Sequence, residues 1–345
     1  MPPLRTAFIG CGGFARRHAA ILSKLDDVQL VGFCNRTLGK AEAFNQEYAA
    51  GRGQTYTDYE AMFAELDLDL VYICLPPYAH GREVELACAH GVHFLIEKPI
   101  ALSLKLAETM AAQVQASGVK SQVGFMYRFG QAAQQLKQRL PPGGPAGYMV
   151  ARYACNSLHK PWWRDRALSG GQLVEQAIHL LDLTRYFLGE PTQVFSMQGN
   201  LFHGQVEGYT SDDASGTVVQ FASGGLAVLA ATNGAIPNRW DYDWRLMAPN
   251  LTADFADANH AVFHDTRPLA PGAAAPAEKV AAEVDLYRAE TLDLLAAIRD
   301  DRPTAVPIEE GLRTLRLALA ASQSAQQNRP VALATPAGAM LDQTP

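Results

Sequence analysis

The sequence predicts an α/β protein in two parts. A doubly wound parallel sheet comes first, followed by an α+β domain with a large, mainly antiparallel open sheet. Three observations predict it. Up to about Gly124, short apolar runs such as Leu4 to Ile9, Leu70 to Leu75 and Val92 to Ile96 alternate with helix-length segments, the rhythm of β–α–β units. After Gly189 the period changes to two, in Gln193 to Leu201, Ala214 to Phe221, Leu226 to Thr232 and Trp240 to Ala248, with no helices between. The length of 345 residues is more than one core usually serves, so two domains are expected, over residues 1–124 and 125–345.

Composition narrows the function. Hydrophobic residues make up 48% and charged residues 19%, which describes a globular chain rather than a disordered one. The formal net charge of −6 and the lack of basic runs argue against nucleic acid as the main partner. The five cysteines (Cys11, Cys34, Cys74, Cys88 and Cys155) are scattered and lack paired spacing, so neither a disulfide framework nor a metal site is indicated. No apolar run reaches membrane-spanning length and the amino terminus lacks a signal-like core, so a cytoplasmic protein is expected.

The first strand runs directly into Gly10-Cys11-Gly12-Gly13-Phe14-Ala15, a G-x-G-x-x-A turn opening a helix to Leu25. Gly10 permits the tight turn, Gly12 lets a pyrophosphate approach the backbone, and Ala15 lets helix and strand pack closely. Free N–H groups at the helix start complete a dinucleotide site of the Rossmann type. The second strand, Val28 to Cys34, ends at Asn35-Arg36, where NAD binders usually carry an acidic residue for the ribose. Neutral Asn35 repels no 2′-phosphate and Arg36 offers a planar fork to one, so NADP(H) is favoured over NAD(H). Lys40 stands one turn further along.

Leu75-Pro76-Pro77 forms a stiff loop at the carboxyl edge of the next strand, with His80 close behind as a cofactor contact or a helix-start residue. The stretch His93 to Ile100 is the most informative. Phe94, Leu95 and Ile96 read as a buried strand, Glu97 and Lys98 follow at once, and Pro99 stops the ladder. Ligands of open α/β sheets bind beyond the carboxyl ends of strands, so Lys98 is placed to move a proton or hold a substrate oxygen. The plainer alternative is an ordinary surface charge at a strand exit. Ser103 is expected to cap a helix to Ser117.

In the second half, Tyr153, His159, Trp162, Trp163, Arg164 and Arg166 combine aromatic faces with cations, which suits a polyhydroxylated ligand or a subunit contact. Ser169-Gly170-Gly171 introduces a helix over Gln172 to Leu188, apolar nearly all round except for Glu175, His179 and Asp182. Their i, i+4, i+7 spacing puts them on one helix face. A carboxylate one turn from an imidazole fixes its tautomer and raises its basicity, as a catalytic base requires; a solvated face is the alternative. Pro268 to Ala277 reads as a surface loop, and helices are expected around Glu283 to Arg299 and Ile308 to Gln326.

With the glycine turn, Glu97-Lys98-Pro99, Tyr127-Arg128-Phe129, Trp163-Arg164 and Gly170-Gly171…His179 in order along nearly the whole chain, the sequence resembles the Gfo/Idh/MocA family of NAD(P)-dependent oxidoreductases. The resemblance implies that Lys98 is the active-site lysine beside the nicotinamide and that His179 is the acid/base. A cis peptide bond before Pro99 is also implied. Glu175 stands where the family usually has aspartate, which alters the carboxylate's reach, and Gln172 replaces a common third glycine near the nicotinamide. The family's substrates imply a sugar, cyclitol or related polyol, with Tyr127, Arg128, Trp162, Trp163 and Arg164 as the substrate wall. An open sheet face implies a homodimer or homotetramer. The alternatives are a non-catalytic NADP(H)-binding sensor and a glycosidase with a retained nicotinamide.

Overall fold

The computed structural model describes residues 2–334. By its internal contacts the chain divides into two compact units. The first comprises Met1–Met126 and Asp285–Arg313, the second Tyr127–Val284 and Thr314–Pro345. The first crossing thus falls close to the sequence boundary at Gly124. Asp285–Arg313, however, returns to the first unit, which two contiguous domains do not provide for.

The first unit holds a six-stranded parallel sheet in the order β3-β2-β1-β4-β5-β6, as expected. Its strands are β1 (Leu4–Ile9), β2 (Val28–Cys34), β3 (Gln54–Tyr56), β4 (Leu70–Ile73), β5 (His93–Ile96) and β6 (Ser121–Val123). Between them run α1 (Gly13–Leu22), α2 (Leu38–Ala49), α3 (Tyr59–Glu65), α4 (Glu83–Ala89) and α5 (Leu104–Ser117). Every residue of β4 is buried, the signature of a strand covered on both faces. The three-residue β3 escaped the sequence reading because it has no apolar run to announce it. The Ser103 hydroxyl caps α5 by accepting from Leu106 N at 3.2 Å, and Gly118 ends it at φ +71°.

α11 (Leu286–Arg299) begins at Asp285, whose carboxylate accepts from Tyr287 N and Arg288 N. Its Leu294 and Leu295 join the core formed by Phe8, Phe33, Phe44 and Tyr72. Burying such a side chain stabilises by about 1.5–3 kcal/mol, so the returning helix is a structural part of this unit. The strands that precede it in the sequence belong to the other unit, and periodicity alone carries no address.

The second unit contains α6 (Gln131–Arg139), β7 (Tyr148–Ala154), α7 (Pro161–Arg164), α8 (Arg166–Ser169), α9 (Gln172–Glu175) and α10 (Ile178–Leu188). Then come β8 (Pro191–Gly199), β9 (Ala214–Phe221), β10 (Leu226–Thr232), β11 (Asp241–Ala248), β12 (Leu251–Phe255), β13 (His260–Asp265) and β14 (Ala277–Ala281). The helix α12 (Ile308–Gln327) precedes a short β15 (Val331–Ala332). The strands form one nine-stranded sheet, β14-β13-β12-β11-β7-β10-β9-β8-β15, antiparallel except for the β7–β10 pair. β7 alternates exposed and buried residues along its length, as a sheet with one face on the core must.

The helix expected over Gln172 to Leu188 is broken. Gln176 N still reaches the Gln172 carbonyl at 2.9 Å, but Ala177 N bonds to that same carbonyl at 3.0 Å, five residues back instead of four. Such a local widening re-aims the side chains on either side of it, so Glu175 and His179 are not successive residues on one regular helix face.

Candidate active site

In the first unit, the predicted site residues begin at the turn between β1 and α1. Gly10 has φ +91°, and a Cβ there would run into the Cys74 carbonyl, so only glycine fits. At Gly12 and Gly13 a Cβ would meet nothing within 4 Å, leaving open backbone. No side chain caps α1, so the N–H groups of its first turn are left for an anion. These residues fit the pyrophosphate of a dinucleotide. Asn35 braces the turn: its Oδ1 accepts from Cys11 N at 3.2 Å, while its Nδ2 donates to Thr37 O at 3.0 Å. Cys11 and Ala15 are buried, whereas Phe14 and Arg36 are exposed.

Leu75 and Pro76 follow β4, and Leu75 touches the Gly10 position. Pro77–Ala79 is a single 3-10 turn. The helix then begins at Glu83, later than the His80 start expected. The His80 ring is buried, with Nδ1 2.6 Å from Glu83 Oε1. Burial pushes the Glu83 carboxyl up, but the His80 ring and the Gly81 N–H outweigh this and hold it below the usual range. His80 thus lies ahead of the helix, its ring held against the helix's first residue.

Glu97 and Lys98 are buried at the carboxyl end of β5, at 6% and 9% exposure, so this is not a solvated strand exit. Glu97 Oε2 accepts from Lys98 N at 3.3 Å, and Oε1 lies 3.2 Å from Nε2 of the fully buried His18. The Lys98 ammonium lies 5.9 Å from the centre of the Phe14 ring. The Lys98–Pro99 peptide bond is cis. His18 escaped sequence reasoning, although it stands three residues after Ala15, one helical turn into α1.

In the second unit, α10 carries His179, 6% exposed, with its ring 5.0 Å from that of Tyr127. Tyr127 in turn stacks on Tyr242 at 4.9 Å. Asp182 accepts from Arg128 through both oxygens, Nε at 2.7 Å and Nη2 at 2.6 Å, and from the Thr314 hydroxyl at 3.0 Å. Thr314 also receives Arg185 Nη1 at 2.8 Å. Arg128 and Asp182 are thus joined in a buried bidentate pair. Neither was marked as the other's partner by the sequence, because 54 residues separate them.

Glu175 accepts from the indole N–H of buried Trp163 at 2.7 Å. The Trp163 ring packs on His159, centroids 4.2 Å apart, and His159 Nε2 is 3.0 Å from the Gln176 amide. Burial pushes the His159 imidazole below its ordinary value. Trp162 is half-buried, while Arg164 donates to Leu158 O at 2.7 Å and so closes the preceding loop. The Gly170-Gly171 pair has a physical origin. Gly171 has φ +93°, and a Cβ there would strike the Asp212 carboxylate, which Arg166 Nη1 meets at 3.0 Å. Gln172 is fully buried, with its amide towards Cys155 Sγ at 3.9 Å and Gln176 Oε1 at 3.3 Å. Burial pushes the Cys155 thiol up to about 12, which rules against a thiolate there.

The glycine turn with its open backbone at the carboxyl end of a parallel sheet is the feature of a dinucleotide-binding fold. Comparison with known proteins agrees. Residues 4–125 match the model described as "Oxidoreductase family, NAD-binding Rossmann fold". Residues 144–247 match "GFO/IDH/MocA C-terminal domain", and residues 256–333 match "Oxidoreductase family, C-terminal alpha/beta domain". The D-glucoside 3-dehydrogenase of Escherichia coli is 30% identical over 195 residues, 55% of each chain. The myo-inositol 2-dehydrogenase of Thermotoga maritima is 25% identical, covering 96% of this chain and 98% of its own. A solved levoglucosan dehydrogenase, in complex with NADH and L-sorbose, superposes with a TM-score of 0.86 at 17% identity, covering 96% and 99%. The chain belongs to the Gfo/Idh/MocA family of oxidoreductases.

Proposed function

We propose that the protein is a dehydrogenase acting on a secondary alcohol, or the matching ketone, of a sugar, cyclitol or related polyol. The observation that carries this reading is the buried Lys98 at the carboxyl end of β5, with its backbone fixed by Glu97. The named relatives act on glucosides and inositols, which supports the substrate class. Neither the sensor nor the glycosidase alternative is favoured by those names.

When bound, NAD(P) supplies hydride exchange with the carbinol carbon. Gly10, Gly12, Gly13 and the first turn of α1 hold its phosphates. In this reading His179 takes or returns the hydroxyl proton and Lys98 stabilises the alkoxide as it develops. Glu175, fixed by the Trp163 indole, has the orienting role, and the aromatic rings of Tyr127, Trp162 and Trp163 face the polyol. Exposed Arg36 beside neutral Asn35 supports NADP(H) as the preferred cofactor. The exposed Tyr148, Val150, Val218 and Leu226 of the nine-stranded sheet support a homodimer or homotetramer, which light scattering tests. A cytoplasmic location completes the reading; it agrees with five free cysteines. Among the described residues, no helix is long and apolar enough to cross a membrane.

The test is a nicotinamide absorbance assay over sugars, inositols and their keto forms with NADP(H) and NAD(H). Lys98→Ala and His179→Ala should each lower kcat by about a hundredfold or more while cofactor binding persists. Full turnover in either variant removes that residue from the reaction. Arg36→Ala should weaken NADP(H) binding about tenfold more than NAD(H) binding. Equal losses for both cofactors rule out the 2′-phosphate role.

A further inference from the structure

Behind Lys98, wholly within the first unit, lies a cluster of ionisable groups that the proposed reaction leaves unused. His18 on α1 is fully buried, with Nε2 3.2 Å from Glu97 Oε1 and 3.9 Å from Glu290 Oε1. Glu290 on α11 is also fully buried, and neither of its carboxyl oxygens has a hydrogen-bond partner. His18 Nδ1 has none either. Glu97 is tightly seated, because a Cβ on Gly124 would come within 2.8 Å of its Oε2. An ionised carboxylate without donors, beside a second carboxylate, is far costlier to bury than the neutral acid.

We infer that Glu290 is a neutral carboxylic acid in the working enzyme and that, with His18, it is a positioning residue for Lys98. The inference rests on the reading of Lys98 as the active-site lysine. Since His18 Nδ1 has no acceptor, the ring proton belongs on Nε2, which donates to Glu97 Oε1. Glu97 Oε2 in turn accepts the Lys98 N–H. Loss of the Glu290 proton would set a second negative charge near Glu97, competing for the His18 N–H and loosening the seat of Lys98.

The surroundings agree. Burial first, then the charges of Glu97 and Asp285, push Glu290 well above the usual carboxylate range. Glu83, the other fully buried glutamate among the described residues, has His80 and the Gly81 N–H as partners and moves the opposite way. From β4 comes Tyr72, its ring 5.0 Å from His18 and its hydroxyl donating to Thr291, and just past the strand end comes Cys74; burial raises both. From α11 the Tyr287 ring meets His18 edge-on at 5.5 Å, and from α1 Arg17 lies over that ring at 5.1 Å. From β6, Gln122 binds the Glu290 carbonyl and Asp293.

Infrared spectroscopy of the full-length enzyme carrying ¹³C-carboxyl glutamate tests the inference without relying on turnover, so its failure and that of the dehydrogenase reading are distinguishable. Expected at neutral pH is the carbonyl stretch of a protonated glutamic acid, absent from Glu290→Gln. The alkaline limb of the kcat/KM profile should move to higher pH in that variant. His18→Ala should lower kcat by about tenfold to a hundredfold, with cofactor binding retained and partial rescue in His18→Gln. No protonated glutamate at neutral pH overturns the assignment of Glu290. An alkaline limb unmoved by Glu290→Gln, or wild-type kcat in His18→Ala, overturns the positioning role. If Glu290→Gln does not fold, titration of the wild-type band decides: the protonated state must persist well above the ordinary glutamate range.

Discussion

In the parallel sheet, Leu70 to Ile73 is buried at every position, whereas β7 of the nine-stranded sheet alternates exposed and buried residues from Tyr148 onward. The first sheet is covered on both faces, so its open ground is the strand ends, and there the glycine turn and Lys98 are found. The second leaves one face exposed, and the helices α9 and α10, which hold the proposed site residues Glu175 and His179, pack against it from the other side. The polar groups differ accordingly. In the first unit His18, Glu97 and Glu290 form a cluster with unpartnered atoms, while in the second Asp182 accepts from Arg128 through both oxygens and from Thr314. A fully bonded ionic group is suited to holding structure, and an underbonded one is suited to holding a proton.

That contrast is open to direct attack. The largest effect is expected for Arg128→Ala, which strands buried Asp182 and should cost about 3–5 kcal/mol in denaturant unfolding. Arg128→Ala paired with Asp182→Ala should recover part of this. A loss below about 1 kcal/mol would show that the pair is not the structural anchor. Next, Gly10→Ala forces a left-handed conformation and a clash with the Cys74 carbonyl, at a cost of about 2–3 kcal/mol. Calorimetry should show cofactor affinity falling with it; unchanged affinity would separate the turn from the nucleotide. The smallest effect is expected for Trp163→Phe, which removes the indole donor to Glu175 and leaves a single aromatic ring in its place, at about 1–2 kcal/mol. A shift in KM for the polyol larger than the loss of stability would sharpen the case for Glu175 as an orienting residue.

Much of the architecture was legible. The apolar runs located β1, β2, β4 and β5, Ser103 announced its helix, and the period-two segments located β8 to β11 within two residues. Short or interrupted elements were not. β3 and the strands β12 to β14 carry too few alternating positions to stand out from loops. The site followed the same rule. Gly10, Lys98 and His179 sit in local motifs, whereas His18 and Glu290 lie far apart in the chain and acquire meaning only from each other.

Local chemistry in the sequence determined the glycine turn, the strand that ends in Glu97-Lys98, and the family, because each depends on residues a few positions apart. Tertiary structure alone decided that α11 returns to the first core, that the helix breaks between Glu175 and His179, and that Asp182 belongs to Arg128. Those outcomes follow from which buried polar groups find partners across long stretches of chain, and hydrophobic periodicity carries no information about that.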